Sequence, residues 1–194
     1  MTVVRVNPES VRAYGTDAQA KFEAIRADLV ALVNEVTEVR FFGPNAVEFK
    51  TRAGQLAADF ANKVNADLGA VADAIRTSTT NIASSLGGVP ITIQVNGTPI
   101  APPAVESVDF VDVDTSALES LTTNVDSHFV AINEAFDAHL QRLMGTDWSG
   151  NAREQAVASV QNFTNSAKAK STEAQTSLNN FIRNQVQSVI TADK

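Results

Sequence analysis

Residues 3–43 read VVRVNPESVRAYGTDAQAKFEAIRADLVALVNEVTEVRFFG, and residues 110–150 read FVDVDTSALESLTTNVDSHFVAINEAFDAHLQRLMGTDWSG. Set one above the other, the two stretches keep a single register without a gap, at an offset of 107 residues. Val11 falls on Leu118, Tyr14 on Leu121, Ala18 on Val125, Phe22 on Phe129, Ile25 on Ile132 and Leu29 on Phe136. Phe41 meets Trp148, and Gly43 meets Gly150. Beyond the quoted stretches Leu56 meets Phe163, Ile75 meets Ile182 and Ile82 meets Val189. The agreement is mainly one of character, and its length is what makes it significant. A period this long signals duplicated domains, since solenoid units recur every ~20–50 residues.

Each copy reads as helix, tight turn, helix. In the first, Val11, Tyr14, Ala18, Phe22, Ile25, Leu29, Leu32, Val36 and Val39 recur in steps of three and four, one apolar face of a helix. Asn7 is a good N-cap, and Pro8 suits the first helical position, where a missing N–H costs nothing. The second helix carries Phe49, Ala53, Leu56, Phe60, Val64, Leu68, Val71, Ile75 and Ile82, and Gly87-Gly88 stop it. The second copy has Asp114 as cap, then the stripe Leu118, Leu121, Val125, Phe129, Ile132, Phe136, Leu140 and Leu143. Its last helix carries Ala156, Val160, Phe163, Ala167, Ala174, Leu178, Ile182, Val186 and Val189. Two long helices joined by a few residues run antiparallel, and one such hairpin leaves much of its apolar face wet. The expected fold is therefore all-α: two helix-turn-helix hairpins, residues 1–86 and 110–194, pairing as an antiparallel four-helix bundle, with residues 87–109 as a small insert.

Composition agrees. The chain has 194 residues, 44% apolar and 19% charged, which is globular. The absence of cysteine excludes disulfides, thiolate metal sites and cysteine nucleophiles. A net charge of −7 argues against nucleic-acid binding, which needs clustered Lys and Arg. No stretch is long and apolar enough to span a membrane, and the start MTVVRVNPES does not read as an ordinary signal peptide.

The insert reads GGVPITIQVNGTPIAPPAVESVD. Ile91, Ile93 and Val95 alternate, and Asn96-Gly97 is a strong type I′ turn signal, so a β-hairpin is expected, with Pro99 confining the return strand to an edge. Val3–Val6 and Phe110–Val113 are also strand-like, so these segments are candidates for one small sheet at an end of the bundle. Two readings stand: a plain linker, or an exposed assembly edge at Ile91, Ile93, Val95, Asn96 and Gly97 that recruits another molecule.

Both turns carry an aromatic-x-glycine element: Phe41-Phe42-Gly43 in the first and Trp148-Ser149-Gly150 in the second. Trp-x-Gly at the bend between two amphipathic helices, in units of about one hundred residues, resembles the WXG-motif family of type VII (ESX) secretion substrates. The resemblance covers both copies and includes an aromatic residue, Phe163, fifteen positions past Trp148. It implies a dimer of hairpins fused into one polypeptide. It marks Phe41, Phe42, Gly43, Trp148 and Gly150 as the bend motif, and it implies contact with the secretion machinery for Trp148. Two features depart from the family pattern. The first bend has Phe where Trp is usual. The family's Tyr-x-x-x-Asp/Glu signal after a second helix is absent: the only tyrosine is Tyr14, followed by Ala18, and the nearest analogue is Phe181 with Gln185. A partner that carries the signal, or a relative with another job, would account for this.

Bland readings compete at single residues. Trp148 suits turn capping and packing as well as machinery contact. His128 and His139 lie too far apart on one helix for one metal ion and are expected at the surface or its boundary. Glu35, Glu38, Asp59, Asp67, Asp73 and Glu173 look like solvated helix faces. Gly54 and Gly69 inside the second helix each cost about 1 kcal/mol relative to alanine, and either permit close helix approach or serve no packing role. No Ser-His-Asp set, phosphate loop or ligand cluster stands out, so neither catalysis nor a cofactor is expected. The leading expectation is a non-enzymatic type VII secretion substrate, carrier or adaptor, cytoplasmic before export or secreted without a signal peptide. Its partners would be the secretion machinery, a cognate effector or itself. The alternative is a self-assembling ring, filament or shell.

Overall fold

The computed structural model describes residues 4–192. The fold is all-α. Four helices, α1 (Pro8–Glu38), α2 (Pro44–Leu86), α3 (Thr115–Met144) and α4 (Asn151–Ala192), account for most of the chain. Two short strands, β1 (Phe41–Phe42) and β2 (Asp112–Val113), form an antiparallel pair. The helix signals in the sequence act where they stand. Asn7 Oδ1 accepts the N–H of Glu9 and Ser10 at 3.1 and 3.3 Å, and Asp114 Oδ1 accepts that of Ala117 at 3.0 Å. Gly87, at φ 80°, ends α2 with its N–H on the Ala83 carbonyl.

The chain divides into two compact units, each drawing on all four helices. The first comprises residues up to 26, 64–98 and 133–168; the second comprises 27–63, 99–132 and those from 169 onward. The offset of 107 residues carries the α1, α2, α3 and α4 segments of the first unit onto the α3, α4, α1 and α2 segments of the second, respectively, with helix-internal boundaries agreeing to within a residue or two. The two units are thus chemical counterparts.

All the stripe residues of α1 and α3 are buried, from Val11 to Val39 and from Leu118 to Leu143. On α2 and α4 the stripe is buried except at Leu56, Ile82, Ala174, Val186 and Val189, which are half-buried. In the first unit Phe136 meets Phe163 edge-on at 5.3 Å between ring centres. In the second, Phe60 packs on Phe129 at 5.2 Å, and Phe49 stacks on Phe181 at 5.5 Å. Gly54 does permit close approach: a Cβ there would lie 2.8 Å from Thr37 Cγ2 and 2.9 Å from Pro102 Cβ. Gly69 faces open space.

The insert departs from the expected β-hairpin. Residues 87–109 contain no strand, and the small sheet is made elsewhere, from β1 and β2. The reason is competition for backbone partners. In the first unit Gln19 grips Gln94 from both sides, its Oε1 accepting the Gln94 N–H at 2.7 Å and its Nε2 donating to the Gln94 carbonyl at 3.1 Å. Thr79 Oγ1 accepts the Ile91 N–H, and the Asn96 carbonyl accepts from both Arg26 and Asn65. In the second unit Asn62 grips Ile100 in the same two-bond manner, at 2.8 Å each way. A side-chain amide has one donor and one acceptor face and can replace a strand partner. The alternation seen in the sequence is real, but it places Ile91 and Ile93 inward, 7% exposed each, against helices. Asn96 does make a local turn, its Oδ1 accepting the Thr98 N–H at 2.9 Å. Gln19→Ala is expected to cost about 1–2 kcal/mol for two lost bonds. Hydrogen exchange at Gln94 should accelerate while that of α1 and α2 stays unchanged.

Candidate functional site

The two bends are built alike, each inside one unit. In the first unit, Val6 pairs antiparallel with Trp148. The Asn7 N–H donates to the Asp147 carbonyl at 2.9 Å, and the Ser149 N–H donates to the Arg5 carbonyl at 2.7 Å. In the second unit, Phe41 pairs with Val113 and Phe42 with Asp112. The Asp114 N–H donates to the Arg40 carbonyl at 3.0 Å. These contacts superpose on the 107-residue offset. The strand-like segment before each first helix therefore clasps the bend of the opposite hairpin. The expectation of one shared sheet is corrected accordingly. Val3 lies outside the described residues.

Each clasp carries an ion pair with the signs exchanged. Arg5 faces Asp147 at 3.4 Å in one, and Asp112 faces Arg40 at 2.9 Å in the other. Both are largely exposed, so each contributes little to stability; they match the edges of the clasp.

The glycines are demanded by the backbone. Gly43 has φ 122° and Gly150 φ 107°, left-handed values that disfavour a side chain. A Cβ at Gly43 would lie 3.1 Å from Val111 Cγ2, and one at Gly150 would lie 3.2 Å from Val4 Cγ2. Gly150→Ala is expected to lower stability by about 2 kcal/mol through backbone strain. Thermal unfolding followed by circular dichroism would read this as a fall of several degrees.

Phe41 and Trp148 are buried, 4% and 3% exposed, and the Trp148 Nε1 has no hydrogen-bond partner. Phe42 is half-buried and covers Lys50, whose ammonium lies 4.7 Å from the ring centre. Burial holds the Lys50 ammonium below its usual pKa. Of the candidate edge residues, Ile91 and Ile93 are buried, Val95 half-buried, and Asn96 and Gly97 exposed.

His139 corrects the expectation of a surface or boundary residue: it is 0% exposed. Its Nε2 shares a 2.9 Å hydrogen bond with the Tyr14 hydroxyl, Phe22 meets its ring edge-on, and its Nδ1 has no partner. Burial, helped by the Lys21 charge, pushes its pKa down to about 4, and burial pushes the Tyr14 hydroxyl up. The repeat carries the signal for burial, because the counterpart of His139 is Leu32, a core position. His128 is partly exposed and lies 3.7 Å from Glu35. Among the described residues no group of three His or carboxylate side chains could hold a metal ion, and no helix is long and apolar enough to cross a membrane. No family model, curated protein or solved structure matches the chain.

Proposed function

We propose that this chain is a non-enzymatic type VII secretion-associated protein, a substrate, carrier or adaptor that acts through protein–protein contacts. The observation that supports this reading most is the pair of matched bends. Each combines a buried aromatic ring with a left-handed glycine two residues on, at the turn between two amphipathic helices. The duplicated hairpin suits a WXG-type pair fused into one polypeptide. Trp148 and Phe41 are packing residues first; a partner would read the outer surface of the bends.

The test is the culture filtrate of the native host. The protein should be recovered there when the secretion pathway is intact and lost when the pathway's ATPase is deleted, or it should cross-link in cells to a pathway component or substrate. Recovery from washed cells alone, with no such cross-link, would sink the proposal. A second reading, self-assembly into a ring, filament or shell, draws on Phe110 and Val111, which stand 58% and 73% exposed in the second unit. Light scattering decides it: a monomer at high concentration removes that reading.

A further inference from the structure

Within the first unit, the start of α1, the end of α2 and the adjoining insert surround an open cavity of about 450 Å³. Its wall is mostly apolar, with Val6, Val11, Ile82, Ala83, Val89 and Ile91. The volume falls in the range of small-ligand pockets. Polar groups on this wall are already engaged. Thr79 Oγ1 donates to the Ile75 carbonyl and accepts the Ile91 N–H, Gln19 grips Gln94, and Thr16 donates to the Arg12 carbonyl. The two exceptions are the hydroxyl of Thr92, which is exposed, and the Arg12 guanidinium, the single charged side chain lining the cavity. Arg5, Arg40, Arg76 and Arg142 each have an acid partner. Arg12 is exposed and has none among the described residues.

We propose that this cavity binds a small amphipathic monoanion: an apolar chain bearing one carboxylate, with the chain among Val11, Ile82 and Ile91 and the carboxylate on Arg12. The charge and lining select this class. An organic cation would be repelled by Arg12. A neutral hydrocarbon would leave a fork of donors unused at the mouth, whereas a carboxylate accepts two of them in parallel. This inference does not depend on the secretion reading.

Dodecanoate and dodecanol, below their micellar concentrations at pH 7.5, are the probes, titrated calorimetrically into the full chain. The expected result is saturable one-to-one binding of dodecanoate. Arg12→Gln should weaken it about tenfold, the range of one charge-assisted contact, and leave dodecanol unaffected. Thr16→Trp, a change at an exposed wall position, should block both probes while the helical circular dichroism stays intact. Absence of saturable dodecanoate binding to the parent protein overturns the proposal. So does equal affinity in both variants, which would mean surface adsorption. A clear preference for an apolar peptide amide over dodecanoate would overturn it too, and would assign the cavity to a peptide.

Discussion

Trp148→Ala is expected to lower stability by about 3–5 kcal/mol, the usual cost of emptying the site of a large buried aromatic. Trp148 is 3% exposed and sits at the backbone bridge to Val6, so truncating its side chain leaves a cavity in the core beside the first clasp. Trp148→Phe should behave differently. Phe is what stands at the counterpart position 41, and the indole N–H it removes has no partner. An unsatisfied buried donor costs about 1–3 kcal/mol, which offsets most of the lost contact area. The stability of the Phe variant should therefore fall within about 1 kcal/mol of the parent. Urea denaturation followed at 222 nm separates the two, since tryptophan fluorescence is lost in both. An Ala variant as stable as the Phe variant would show that the bend does not depend on the ring.

The second large effect is with pH. His139 titrates near pH 4 when folded, against about 6.5 in an unfolded chain. Between those values the unfolded chain holds a proton that the native protein lacks. Stability is therefore complete above about pH 6.5 and declines as pH falls toward 4. The loss approaches about 3 kcal/mol, at 1.36 kcal/mol per pKa unit. Groups that bear on the site are Tyr14, which shares its proton, Lys21, whose charge disfavours the imidazolium, and Arg142, whose charge acts on Tyr14. The paired variant Tyr14→Leu with His139→Leu makes this site match its counterpart residues Leu121 and Leu32. It should be less sensitive to acid by that amount while other carboxylate titrations remain. Parallel pH profiles for the two proteins would show that His139 is solvated.

The helices were legible because their cause is local. Steps of three and four, an N-cap at Asn7 and Asp114, and glycine stops need only neighbours in sequence, and α1 to α4 begin and end close to those signals. The 107-residue register went further, since it placed the two bends in corresponding positions before any contact was known. It also marked His139 as a core position through Leu32. The boundary expectation for His139 failed because a single helical position decides which face a side chain takes.

The choice of backbone partners was not local. Val6, Val113 and Ile91 all have the same strand character, and alternation alone names no partner for any of them. The tertiary structure set Val6 against Trp148 and Val113 against Phe41, and it gave the insert's amides to Gln19, Asn62 and Thr79. Periodicity along the chain determines which face of a segment is apolar. Where its N–H and C=O groups go depends on what distant residues bring within about 3 Å, and only the folded chain settles that.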